Sequence, residues 1–159
     1  MKYIGVILVG IIIISIGCKD DDVNISPIEQ FVIDTNIIDD WIVENNIQDT
    51  LVEAISKIRY TLKEEGTGIN PRAFVQDTIV VDYTGRILLT GEVFDSGESS
   101  EINLDTTIKG WQIMLPEIKE GGEFTIYLPS LFAYGTEGRG NIPPNAVLVF
   151  DIKLLRVGG

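Results

Sequence analysis

The chain has 159 residues, 45% of them hydrophobic, with 12 basic residues against 24 acidic ones. That length is enough for one domain with its own core, while the acidic balance excludes a phosphate-reading surface and a basic patch for anionic lipid, so no nucleic-acid partner is expected. There is no histidine and a single cysteine, which removes histidine-based acid–base and nucleophilic catalysis, an intrachain disulfide and a thiolate metal cluster. Activity is left to carboxylates, tyrosines, backbone groups or the shape of a cavity, with no cofactor or metal expected.

Residues 1–17 carry one charge, Lys2, followed by the almost wholly apolar run Tyr3–Gly17. A membrane span needs about twenty such residues, and the shorter run has the length of a secretory leader. The only cysteine, Cys18, follows Ser15-Ile16-Gly17. This resembles a bacterial lipobox, in which the leader is cut before the cysteine and the thiol carries the lipid. Ser15 stands where that signature usually has leucine. The other reading is an uncleaved signal anchor with an incidental thiol.

Lys19-Asp20-Asp21-Asp22 comes next. An acidic cluster here resembles a surface-export signal of lipoproteins in one Gram-negative phylum; the plainer reading is a solvated spacer that avoids inner-membrane retention. Both imply a Gram-negative envelope and a lipid anchor at Cys18, at the outer membrane, on its periplasmic or its surface face. Residues 18–27 read as an acidic tether that breaks at Pro27.

From Ile28 to Asn46 the apolar residues Ile28, Phe31, Val32, Ile37, Ile38, Trp41 and Ile42 recur in steps of three and four. This predicts an amphipathic helix with Pro27 near its first turn and Trp41 packed on the neighbouring domain. Ile47–Lys57 fits neither period, and 28–57 is taken as a helical N-terminal extension. The main domain, 58–159, opens on an alternating strand at Ile58–Leu62. A turn follows at Glu64–Gly68, and Phe74–Asp77 leads into a strand at Thr78–Thr84 whose Ile79, Val81 and Tyr83 share a face. Gly85 should punctuate it. Glu92–Phe94 should run into a turn at Asp95-Ser96-Gly97, and Ile102 and Leu104 should alternate in a short strand.

Thr106 or Thr107 should cap a short helix, Ile108–Leu115, stopped by Pro116, with Ile108, Trp111 and Leu115 on one face. Glu123–Leu128 predicts a strand, Phe132–Pro144 a Gly/Pro-rich loop, and Val147–Val157 a last strand with Leu148, Phe150, Ile152 and Leu154 on one side. Several alternating strands with one short helix suggest an α+β domain: an antiparallel β-sheet curled around a short α-helix.

Five segments stand in order: Val81-Asp82-Tyr83-Thr84-Gly85, Gly91-Glu92-Val93-Phe94-Asp95-Ser96, Ile108-Lys109-Gly110-Trp111, Ala133-Tyr134-Gly135, and Ile142-Pro143-Pro144 running on to Phe150-Asp151. Together they resemble the successive signatures of the FKBP-type peptidyl-prolyl cis–trans isomerases over about residues 58–159. The resemblance implies a sheet of five or six strands around a short helix, with an apolar pocket between them. It implies Trp111 as the pocket floor and Tyr83, Phe94 and Phe150 as aromatic walls. Asp95 would be the polar group beside the twisting amide, and Tyr134 a phenol donor. Thr107 and Ile108 would line the rim, Ile108 offering its backbone N–H, and Ile142 would cover the pocket.

By pattern alone Tyr83, Phe150 and Trp111 are also core positions, and Asp95 a turn residue. The family's expected partners are proline-containing polypeptides, with a macrolide-type inhibitor able to enter the pocket. This sequence departs from the family pattern at Ser100, Glu101 and Thr107, and Glu98–Glu101 offers no basic partner to Asp95. Three roles fit the set: an isomerase, a module that holds proline-containing segments with little turnover, and an inert accessory of an envelope complex.

Overall fold

The computed structural model of the chain describes residues 25–71 and 78–158. The leader, Cys18, most of the tether and Phe74–Asp77 lie outside the described residues. Helix α1, Pro27–Glu44, starts where local chemistry dictates. The Ser26 side chain accepts from the Glu29 backbone N–H at 3.2 Å, the Glu29 carboxylate accepts from the Ser26 N–H at 2.9 Å, and Pro27 fills the first turn. That reciprocal pair satisfies two donors a helix start otherwise leaves open. Asn46, at φ 52°, turns the chain away at the other end.

The segment with no clear period contains a strand. β1, Thr50–Val52, pairs with β2, Arg59–Glu64. Strands β3 (Thr78–Ile87), β4 (Val93–Asn103), β5 (Glu123–Leu128) and β6 (Leu148–Val157) complete a sheet of order β1-β2-β5-β6-β3-β4 with every neighbour antiparallel. A short helix, α2 (Lys109–Met114), crosses one face.

Two expected interruptions are absent. β3 runs through Gly85, and β4 runs through Asp95-Ser96-Gly97, which pair with Gly85, Thr84 and Tyr83. Ladder pairing overrides the local turn chemistry of these residues. The ladder shifts register on either side of these pairs, between Gly85 and Arg86, which leaves Phe94 without an opposite residue, and between Val81 and Tyr83. Val81 pairs with Ser100 and Tyr83 with Gly97, so Asp82 faces both Glu98 and Ser99. The Asp82 carboxylate accepts from the Ser99 N–H at 2.7 Å and holds this bulge.

The α2 start also differs from expectation. Ile108 is the N-cap and no side chain caps the helix. The Thr107 hydroxyl instead donates to the Leu104 carbonyl at 2.7 Å, in the 3₁₀ turn Leu104–Thr106.

Side-chain alternation separates an inner apolar face from an outer face that is apolar only beneath α1. Inward, Ile79, Val81, Phe124, Ile126, Leu128, Leu148, Phe150, Ile152 and Leu154 pack with Trp111, Met114 and Leu115 around α2. Outward, Tyr127, Val147, Val149 and Leu88 pack with Ile37, Ile38, Trp41 and Ile42 of α1. Trp41 meets Tyr127 with ring centroids 5.8 Å apart, the core role expected of it. Among the described residues no helix is long and apolar enough to cross a membrane.

Candidate active site

The site grows from pairings at the middle of the sheet. Phe150 on β6 lies between Ile126 on β5 and Gly85 on β3. A Cβ at Gly85 would come within 2.6 Å of the Phe94 ring and 2.7 Å of the Phe150 ring. A strand glycine here marks close approach of side chains rather than a turn. The two phenyl rings meet edge to face over it, 5.5 Å apart at 86°. Phe150 meets Trp111 at 5.4 Å and 81°, and Trp111 meets Tyr83 at 5.2 Å and 85°. Each contact has the edge-on geometry that aromatic quadrupoles favour, worth about 0.5–1.5 kcal/mol beyond burial.

Helix α2 can bring Trp111 this close because Gly110 faces β5. A Cβ there would stand 2.5 Å from a methyl of buried Leu128. The glycine before the tryptophan sets the helix-to-sheet distance.

Tyr83, Trp111 and Phe150 floor a cleft of about 220 Å³, lined also by Asp95, Ile102, Thr106, Thr107, Ile108, Tyr134 and Arg139. That is smaller than the roughly 300–1,000 Å³ of drug-sized sites, a size for a ring and its flanking amides. Another concavity, about 760 Å³, lies over Asp82, Glu98, Glu123, Asp151 and Lys153. Its lining is chiefly charged and hydroxyl-bearing, which suits water and ions rather than an apolar ring.

The polar groups of the smaller cleft are few. The Tyr83 hydroxyl donates to the Asp95 carboxylate at 3.0 Å. Burial, then that bond and the carboxylate's charge, push the phenol up to about 12, so Tyr83 stays protonated. Among the described residues Asp95 has no basic partner. Among the described residues the buried Trp111 indole N–H has no acceptor, a state that costs about 1–3 kcal/mol. The Ile108 carbonyl accepts from Trp111 at 3.0 Å, while among the described residues its own N–H has no acceptor.

Seven of the nine residues expected at the pocket line this cleft: Tyr83, Asp95, Thr107, Ile108, Trp111, Tyr134 and Phe150. Phe94 stands beside it, its ring against Phe150. Ile142 is 6% exposed and turned into the inner core. It is tied to Arg139 by backbone bonds of 3.0 and 2.9 Å that close a small hairpin in the loop.

Sequence reasoning passed over Gly85, Arg139 and Gln112. Arg139 lines the cleft with its guanidinium 5.6 Å from the centre of the Tyr134 ring. The Gln112 amide donates to the carbonyls of Thr107, at 2.7 Å, and Asp105, at 3.0 Å, and braces the rim. A glycine between two aromatic segments was the available signal for Gly85. The other two depend on folding contacts that no spacing reveals.

Comparison with known proteins points the same way. The chain is 38% identical over 123 residues to the probable FKBP-type peptidyl-prolyl cis-trans isomerase FkpA of Neisseria meningitidis, a match over 74% of this chain and 44% of that protein. It thus spans less than half the length of that relative. The crystal structure of FkpA from Escherichia coli superposes with a TM-score of 0.69 at 31% identity, covering 82% of this chain and 62% of that one. The structure of a peptidyl-prolyl cis-trans isomerase from Pseudomonas syringae gives 0.67 at 29% identity, covering 80% and 96%. Residues 70–155, which carry all of the residues lining the aromatic cleft, match the model of the FKBP-type peptidyl-prolyl cis-trans isomerase family, and the chain belongs to that family.

Proposed function

We propose that this chain accelerates cis–trans isomerisation of Xaa-Pro bonds in exported or envelope proteins. The observation that carries the reading is the run of edge-to-face rings Tyr83–Trp111–Phe150, backed by Phe94, flooring a small cleft with one carboxylate at its wall. Rotation about a peptide bond has a barrier of roughly 18–20 kcal/mol because C–N resonance must be broken. Without a catalyst an Xaa-Pro bond takes about ten seconds or more.

The twisted amide has lost resonance and with it charge separation. A dry aromatic cleft favours that state over the planar amide. Trp111 supplies the floor for the proline ring, and Tyr83, Phe94 and Phe150 the walls. The Ile108 N–H and the Tyr134 phenol hold flanking carbonyls. Asp95, oriented by the Tyr83 hydroxyl, stands beside the rotating amide. No bond to the protein forms or breaks, so neither a nucleophile nor a metal is part of the scheme.

The same reading extends to the ends of the molecule. Residues 1–17 are a leader and Cys18 carries a lipid that tethers the domain through residues 18–27 to a Gram-negative outer membrane. Clients are proline-containing polypeptides, and a macrolide-type compound presenting a pipecolyl ring competes for the cleft.

A protease-coupled assay on an Xaa-Pro peptide with the purified full-length chain tests the activity. The expected result is a rate above background that a pipecolyl-type ligand suppresses. No acceleration sinks the enzyme reading. A ligand-induced fluorescence change of Trp111 in a Trp41→Phe background, without acceleration, identifies a holding module instead. For the anchor, Cys18→Ser should release the protein from membranes; retention means that residues 1–17 are an uncleaved anchor.

A further inference from the structure

Helix α1 carries a carboxylate that its amphipathic role does not require. Asp34 lies in the middle of the helix, 0% exposed. One oxygen accepts from the Gln30 side-chain amide at 2.7 Å. The other accepts from both the backbone N–H and the hydroxyl of Ser130, at 2.8 and 2.6 Å. Ser130 is 1% exposed and 96 residues away in sequence.

A buried carboxylate is a poor way to glue a helix to a sheet. An apolar side chain of similar volume does that as well or better, because it has no hydration to lose. What Asp34 adds is a two-point grip on one residue.

That residue organises the segment leading to the cleft. The Ser130 carbonyl accepts from the N–H groups of Ala133 and Gly135, both at 2.9 Å. These are the two neighbours of Tyr134, which lines the cleft. Ser130 is thus held on its donor side by α1, and on its acceptor side it fixes both flanks of Tyr134. One turn earlier on α1, Phe31 meets Phe132 edge to face at 6.0 Å and 89°. α1 lies outside the segment that matches the family, 70–155.

We propose that Asp34 is a positioning residue, which through Ser130 sets the placement of the Tyr134 phenol over the cleft. The inference rests on the isomerase reading only for its kinetic consequence. Its structural consequence stands by itself: without Asp34 the Ser130 turn loosens, and the Ala133 and Gly135 amides lose protection.

The experiment uses the full-length chain and pairs turnover with amide hydrogen exchange. Asp34→Ala should lower kcat/KM by about tenfold, mostly through kcat, as expected for a misplaced group. Asp34→Asn, which keeps an acceptor for Ser130, should recover all but about twofold to threefold. In a Tyr134→Phe background Asp34→Ala should cost less than about twofold, since the group it places is gone.

Trp41→Ala loosens the same helix at its other end and serves as the control, with kcat/KM kept within about twofold despite lower stability. Exchange at Ala133 and Gly135 should quicken at least about tenfold in Asp34→Ala relative to amides of β5. Unchanged exchange at those two amides overturns the proposal, as does a loss equal in both Tyr134 backgrounds or matched by Trp41→Ala. If the wild-type chain shows no turnover yet exchange quickens as stated, the isomerase reading fails and the latch stands.

Discussion

The sheet carries an apolar cluster on each face, and its two helices cover those clusters differently. On the outer face, eighteen-residue α1 lies over Leu88, Tyr127, Val147 and Val149, and Ile38 is sealed at 0% exposure. On the inner face, α2 has six residues, about 9 Å at 1.5 Å per residue. The ten residues of β3 or β6 run about 33 Å. A helix that short cannot roof strands that long. Beside α2 the inner face is left with a cleft floored by Tyr83, Trp111 and Phe150. The apolar patch under α1 is sealed, and beyond it the outer face is polar, with Asp82, Glu123, Asp151 and Lys153 around an open concavity, while the inner core is left open at one end. The same alternating strands, β5 and β6, serve both.

The comparison yields predictions of decreasing size. Trp111→Leu removes the floor while keeping the position apolar. It should lower kcat/KM on the order of a hundredfold while destabilising the fold by about 1–3 kcal/mol. A loss of stability without loss of rate would make Trp111 a core residue only. Tyr83→Phe removes the hydroxyl that orients Asp95 and should cost about tenfold in rate. With the Tyr83 phenol held up near 12, rate–pH profiles of wild type should show no inflection from Tyr83 below that value. An inflection near pH 10 that vanishes in Tyr83→Phe would contradict the burial argument.

Val149→Ala thins the outer core. It should cost about 2 kcal/mol in denaturant midpoints and leave kcat/KM within about twofold. An activity loss of tenfold would mean that the faces are coupled through β6.

The smallest effect concerns Asp151, beside the outer core. Burial pushes its carboxyl up, but bonds from Thr125 at 2.6 Å and Arg86 at 2.5 Å, with the charges of Lys63 and Arg86, outweigh this and leave it below the ordinary 3.8. The folded state therefore binds the proton less readily than the unfolded one. The resulting stability is complete above about pH 3.8 and is lost as pH falls through the folded value. Melting temperatures of wild type and Asp151→Asn should converge on acidification below that point; a gap constant with pH would refute the linkage.

How much of this was legible depended on range. Phe124, Ile126 and Leu128, and Leu148, Phe150, Ile152 and Leu154, declare their faces by strict alternation, and all are buried as expected. α1 declares itself by period and cap. β4 does not, because most of its residues are exposed and its bulge shifts the register. Asp95-Ser96-Gly97 has the composition of a turn, and only pairing with β3 keeps it extended. β1 is three residues with little burial, too short to show a period. In the cleft, the aromatic residues could be named from ordered motifs. The Asp34–Ser130 pair joins segments 96 residues apart, and neither residue type signals the other.

The position of β6 bears on how the molecule comes into being. It is the last strand in chain order, yet it sits between β5 and β3 near the centre of the sheet. Its pairing with β3 joins residues such as Gly85 and Phe150, far apart along the chain. Until it arrives, β5 and β3 each lack a neighbour, and the cleft lacks the ring that links Trp111 to Phe94. Long-range closure of this kind slows folding. A chain delivered from its N-terminal side would leave β3 and β5 without their shared neighbour until β6 was free, and would gain the centre of the sheet and the Phe150 ring of the cleft together.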